Sequence, residues 1–243
     1  MDGFEAAKEK IIGKSHNDKG IGTLSEKSVH AILKNYYEPD EDNHEVALSG
    51  YVADIYNESG VIEIQTRQFN KMREKLAVFL NYYPVTIVYP VPREKWIIWI
   101  DETTGALSGK RKSPVKGNEY FIFPELYKIK DYLLNPNLRL KVVLLDMEEY
   151  RILQGYKSDR RKKSTRYDRI PKELVAEYSV EQIEDYMQFV PAELPNRFTS
   201  RDFKEYAHVS QSLAQVVLNI LTHVGTVKRV GKQGRNILYE VNE

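Results

Sequence analysis

Residues 51 to 67 constrain the chain most. Asn57-Glu58-Ser59-Gly60 is a run of turn formers with β-prone residues on both sides, so the stretch reads as a β-hairpin. Side chains alternate along a strand, which puts Glu63 and Gln65 on one face and Ile62 and Ile64 on the other. A carboxylate on the first strand, Asp54, can then share a pocket with Glu63 on the second. The pair offers hard oxygen ligands suited to Mg²⁺ or Mn²⁺, and Gln65 sets an amide beside them. Acidic residues on a hairpin are most often its solvated face. The elements around this hairpin argue for more.

Ahead of it, Ser25 to Tyr37 reads as a helix, with Val29, Ile32, Leu33 and Tyr36 at helical spacing and Ser25 as N-cap. Behind it, Phe69 to Leu80 repeats the helical pattern through Phe69, Met72, Leu76 and Phe79. A buried strand, Val85 to Tyr89, follows between Pro84 and Pro90. Helix, hairpin, helix and strand, with Asp on one hairpin strand and Glu-x-Gln on the next, resembles the core of the PD-(D/E)XK nuclease superfamily over roughly residues 20 to 100.

The resemblance implies an α/β fold, a restriction-endonuclease-like mixed sheet flanked by helices, with Asp54, Glu63 and Gln65 catalytic and Asp54 and Glu63 holding the metal. It also implies an acidic residue on the first helix, carried over to Glu26, with His30 one turn later on the same face; Glu45, ahead of Asp54, is a further candidate. Two positions depart from the pattern. Ala53 stands where a Pro often precedes the Asp. Gln65 stands where the family usually has a catalytic Lys, and a neutral amide orients water or phosphate only through hydrogen bonds. Glu-x-Gln variants occur among active restriction-type members.

The composition is that of a globular chain, with 42% hydrophobic and 29% charged residues over 243 positions. It has no run of about eighteen apolar residues, so no membrane span is expected. The first ten residues lack an apolar signal core, and Cys is absent, so disulfides and thiolate metal sites are excluded and a cytoplasmic setting is expected. A net charge of +1 says little, because charge is unevenly spread.

Residues 1–22 read as a loosely docked lead-in and 23–156 as the nuclease-like domain. Within the latter, Trp96 to Ile100 reads as a further strand, Lys110 to Lys116 as a basic loop, Leu126 to Leu134 as a helix and Leu138 to Asp146 as a buried strand. Asp146, Glu148 and Glu149 at its end form a second acidic cluster, for which a helix start is the commoner explanation. Residues 157–178 form a basic linker, in which Arg160, Arg161, Lys162, Lys163 and Arg166 are candidates to contact DNA phosphates.

From Ser179 onward a second pattern emerges. Ser179 to Val190 offers a first helix and Thr199 or Ser200 caps a short second one through His208. Ser210 caps a longer one, Gln211 to His223, ended by Gly225. A hairpin, Thr226 to Val230 and Asn236 to Val241, completes a unit over 179–243 that resembles the winged helix-turn-helix family. The resemblance implies that Ser210, Gln211, Ser212 and Gln215 face a DNA groove and that Lys228, Arg229, Lys232 and Arg235 hold phosphates. No acidic residue lies between Lys228 and Arg235.

The expected activity is that of a metal-dependent DNA endonuclease of the restriction or genome-defence kind, with double-stranded DNA as partner and a homodimer as one way to cut both strands. The competing expectation, motivated by Gln65, is a DNA-binding transcriptional regulator with a catalytically inactive nuclease-like domain. RNA processing on the same core is a third.

Overall fold

A computed structural model describes residues 3–17, 28–153 and 164–242. Helices α1 (Gly3–Asn17) and α2 (Ser28–Tyr37) lead into β1 (His44–Leu48), β2 (Tyr51–Asn57) and β3 (Gly60–Ile64). A 3₁₀ turn, Phe69–Met72, precedes α3 (Arg73–Phe79). Then come β4 (Val85–Asp101), β5 (Arg111–Lys112), α4 (Phe123–Leu126), β6 (Leu138–Leu153) and β7 (Ser164–Val180). These strands make one mixed seven-stranded sheet in the order β1-β2-β3-β4-β6-β7, with β5 paired to β4. The first three strands are antiparallel, β3, β4 and β6 run parallel, and β7 returns antiparallel.

The hairpin turns where the sequence says it should. Tyr56 pairs with Val61 and Asn57 with Gly60. Gly60 is required there: its φ is 106°, and a Cβ would stand 2.3 Å from the Pro84 carbonyl oxygen. That contact marks where β3 is handed to β4, as Val61 N–H donates to Pro84 O at 2.9 Å.

Strand alternation divides the apolar residues between two cores. One face carries Ile55, Ile62, Ile64, Val88, Val143, Leu145 and Met147 beneath α1 and α2. The other carries Val61, Val85 and Ile87 against α3, α4 and the C-terminal residues. Each fully buried Leu, Ile or Phe contributes about 1.5–3 kcal/mol.

The C-terminal unit contains β8 (Arg197–Thr199), α5 (Ser200–Tyr206), α6 (Gln211–His223), β9 (Val227–Gln233) and β10 (Asn236–Val241), with a separate three-stranded sheet ordered β8-β10-β9. Thr199 caps α5 in a capping box with Asp202, and Ser210 caps α6 by accepting from Leu213 N–H. The apolar face of α6, Ala214, Val217, Leu218 and Leu221, enters the same continuous core as Phe123, Leu126 and Ile129. Among the described residues no helix is long and apolar enough to cross a membrane.

Several expectations are corrected. Within the lead-in, Gly3–Asn17 is a helix, fixed by Phe4 edge-on to Tyr36. Its apolar positions are few, so its periodicity is weak. Val85 to Tyr89 and Trp96 to Ile100 are parts of one long strand with a bulge between Pro92 and Lys95. Leu126 to Leu134 is the end of α4 and a 3₁₀ segment, Tyr127–Tyr132, rather than one α-helix. Asp146, Glu148 and Glu149 lie in mid-strand on β6, and 164–178 belong to β7 instead of a linker. Charged side chains hid these strands, because they pair with one another across the sheet. The expected helix from Ser179 is a 3₁₀ segment beginning at Ile183, since β7 runs on to Val180.

Candidate active site

Extending the β2/β3 register by one step sets Asp54 opposite Glu63. The β1/β2 register likewise puts Glu45 in the same row. The strands part at this row: the Asp54 carboxylate, instead of continuing the ladder, accepts from Ile64 N–H at 2.8 Å, and Asp54 N–H donates to Glu63 Oε1 at 3.3 Å. Both acidic side chains thus sit at the carboxyl end of β3, between helices on opposite faces of the sheet. From α2, His30 Nε2 stands 3.1 Å from Asp54 Oδ2. From α3, Lys75 Nζ stands 2.6 Å from Glu63 Oε2.

Glu45 behaves differently. Its φ of 53° is left-handed, a costly conformation for a non-Gly strand residue, and its carboxylate turns to the buried Lys34 at 2.6 Å. Gln65 lies on the cleft wall, but its amide donates to Arg67 O at 2.7 Å and shapes the loop after β3. Glu26, Arg160, Arg161, Lys162 and Lys163 lie outside the described residues.

Around the row lies a cleft of about 770 Å³. Asp54, Glu63 and Glu45 line it together with Lys34, Arg67, Lys75, Arg166 and Arg169, five cations to three carboxylates. An acidic centre within a cationic wall suits a phosphate ester brought to a metal ion.

The two central carboxylates titrate apart. Burial pushes Asp54 up, but the bond and charge of His30, the Ile64 N–H and the charge of Lys75 outweigh it and hold Asp54 below the usual range. Glu63 is raised to about 7, by burial first and then by the Asp54 charge, with Lys75 only partly opposing. Glu63 therefore keeps its proton to higher pH than Asp54. Among the described residues no group of three or more His, Asp or Glu is arranged to hold a metal. Mg²⁺ is commonly held by one or two carboxylates, with water and substrate oxygens completing its shell. Asp54 and Glu63 are two carboxylates placed side by side, and Asp54 Oδ1 accepts no hydrogen bond from the described residues.

Sequence reasoning missed Lys75, and it read Arg169 only as the end of the basic run. Lys75 projects from the helix after the hairpin, and its link to Glu63 is tertiary. The signal available was a lone Lys one position before Leu76, on a helix packed over β3.

At the C-terminus, Ser212 and Gln215 are exposed on α6, while Gln211 Nε2 donates to Ser200 Oγ at 2.8 Å and ties α6 to α5. Ser210 Oγ is occupied as the cap. Arg229, Lys232 and Arg235 are exposed on the β9/β10 hairpin. Lys228 is partly neutralised, because Glu240 on β10 lies opposite it at 3.2 Å, a partner that the run from 228 to 235 did not reveal.

The fold and cleft thus define an α/β protein with a carboxylate pair and a lysine at the splayed end of a hairpin. The chain belongs to the family described as a domain of unknown function, DUF8091, whose profile matches residues 27–181, from the entry to α2 to the end of β7. It is similar to an uncharacterized protein of Treponema pallidum (strain Nichols), 28% identical over 226 residues that span 90% of this chain and 86% of that protein. No solved structure matches the chain.

Proposed function

We propose that the chain is a metal-dependent endodeoxyribonuclease with a PD-(D/E)XK-type core and a C-terminal winged helix that positions duplex DNA, acting in restriction or genome defence. The observation that carries this reading is Lys75 2.6 Å from Glu63, beside Asp54, in a cleft walled by Arg67, Arg166 and Arg169. It supplies from α3 the positive charge that Gln65 lacks. The element order α2, β1-β2-β3, α3, β4, with β3 parallel to β4, supports the same reading.

In this mechanism Asp54 and Glu63 would hold Mg²⁺ or Mn²⁺. Such an ion, when bound, would polarise the scissile phosphate and lower the pKa of the attacking water. Lys75 stabilises the negative charge that builds on the phosphate as water adds. His30 fixes the Asp54 carboxylate, and Gln65 holds the loop through Arg67. Ser212 and Gln215 face the groove, and Arg229, Lys232 and Arg235 hold backbone phosphates. Cutting both strands takes two copies or two visits.

The regulator reading draws on Gln65, whose amide is committed to its own loop. Incubation of supercoiled plasmid with the purified chain in Mg²⁺ or Mn²⁺ decides between them, with EDTA, Asp54→Ala and Glu63→Ala as controls. Cutting abolished by all three is the expected result. Salt-sensitive duplex binding without metal-dependent cutting would transfer the assignment to a regulator.

A further inference from the structure

Beyond the end of β3, the strands β4, β6 and β7 continue together, Lys95 to Asp101 beside Met147 to Leu153 and Ser164 to Pro171. On β6, Glu149 and Arg151 follow Met147 at alternate positions and so share the face that Met147 presents to the α1/α2 core. Glu149 is fully buried. Its Oε1 is taken by Arg151, at 2.6 and 2.5 Å. Its Oε2 is shared by Arg169 at 2.9 Å, Lys95 at 3.2 Å and Arg166 at 3.5 Å.

Structural pairing does not account for this arrangement. With Arg151 set aside as the partner of Oε1, three cations converge on one oxygen of one carboxylate. A guanidinium has five N–H donors, and Glu149 takes few of those on Arg166 and Arg169. The surplus is concentrated on one side, because Arg166 and Arg169 also line the cleft that holds Asp54 and Glu63. Burial, followed by the charges of Arg169, Arg151 and Arg67, lowers the Arg166 pKa, so the positive field spans from the loop after β3 to β7. Glu149 itself is pushed up by burial, yet the bonds from Arg151 and Arg169 and the Lys95 charge hold it at about 2. It is a fixed anion that gathers the cations without cancelling them.

We infer that Arg166 and Arg169 form a second phosphate subsite, which grips the backbone of the substrate strand next to the phosphate held at Asp54 and Glu63. The identity of the anion as a nucleic-acid phosphodiester rests on the nuclease reading; the existence of the subsite rests on the charge cluster alone. Glu149 is a positioning residue here. Both tryptophans of the chain, Trp96 and Trp99, lie in the same extension, with Trp99 opposite Arg151 in register, so their fluorescence reports on it.

The test uses the full chain in EDTA, where no cutting occurs, with a short fluorescein-labelled duplex titrated at several salt concentrations. The Arg166→Gln/Arg169→Gln double variant should weaken binding by roughly tenfold or more and lower the log–log salt slope by about two. Glu149→Gln removes the counter-charge and should tighten binding severalfold, whereas a purely structural cluster would lose thermal stability without tightening. Lys110→Gln, which removes a partner of Glu148, should leave binding unchanged. Either active variant decides the matter if the other does not fold. Unaltered affinity and slope in the double variant would overturn the subsite; quenching of tryptophan emission by inorganic phosphate but not by duplex would overturn its assignment to a nucleic-acid backbone. Cleavage in Mg²⁺ is scored separately. A chain that never cuts but shows both binding shifts keeps the subsite and loses the nuclease.

Discussion

Lys75 and Glu63 come from different layers of the molecule, yet their side chains meet at 2.6 Å beside Asp54, whose N–H donates to Glu63 Oε1. A buried glutamate next to a second carboxylate needs that cation, and α3 packs where it can deliver one. Lys75→Met should therefore lower plasmid cleavage by about 10²-fold or more, a typical loss for one group that stabilises the developing charge. Gln65→Ala should cost about tenfold or less. Initial cleavage rates at saturating Mg²⁺ check both, and a larger loss for Gln65 would reverse the assignment.

Without metal, Glu63 makes the fold pH-sensitive in a defined direction. Its pKa is raised from 4.5 to about 7, so the unfolded chain gives up this proton before the folded one does. Stability attributable to this group is complete below about pH 4.5 and is lost as pH rises to about 7. Asp54 works the other way: its lowered pKa contributes stability that is lost only as pH falls through the acid range. In EDTA, Glu63→Gln should match wild type near pH 4.5 and melt roughly 5 °C higher at pH 8, on the order of 2 kcal/mol. Thermal denaturation at the two pH values measures it. Mg²⁺ should stabilise wild type and not the variant.

On the β9/β10 hairpin, exposed Arg229, Lys232 and Arg235 differ from Lys228, which Glu240 holds at 3.2 Å. Changing any of the first three to Ala should reduce the salt slope of duplex binding by about one unit; Lys228→Ala should reduce it by less. Fluorescence anisotropy across a salt series resolves the difference.

Phe189 packs against Phe123 at 5.2 Å, Tyr178 at 6.2 Å and Tyr120 at 6.4 Å, tying α4, β7 and the C-terminal unit together. Phe189→Ala should cost about 3–5 kcal/mol. Because the core is continuous, urea unfolding followed by far-UV circular dichroism and by tryptophan emission should give coincident transitions, in wild type and variant alike.

How legible the sequence was depended on which interactions were local. The hairpin at Asn57 to Gly60 and the α6 boundaries at Ser210 and His223 were readable, because turns and caps are written in adjacent residues. Asp54 and Glu63 were found for the same reason, since strand parity brings them together. The β7 strand was read as linker because Arg166 and Arg169 look like solvated charge until Glu149, twenty residues from Arg169, is seen between them. Lys34 and Lys75, reaching Glu45 and Glu63 from helices on either face, were invisible for the same reason.

The continuity of Phe123 with Leu218 and Leu221 has a further meaning. A C-terminal unit on a tether can be lent to other proteins and swung to reach different targets. Here the apolar face of α6 is spent on the body of the protein, and Lys130 secures its flank through Asn219 at 2.8 Å. Cut free at residue 181, the last quarter of the chain would expose that face to water, and the remaining body would lose the cover over Phe123. The unit therefore behaves as an inseparable part of one machine, and any span between α6 and the Asp54 cleft is set by the fold, as on a ruler with two fixed marks.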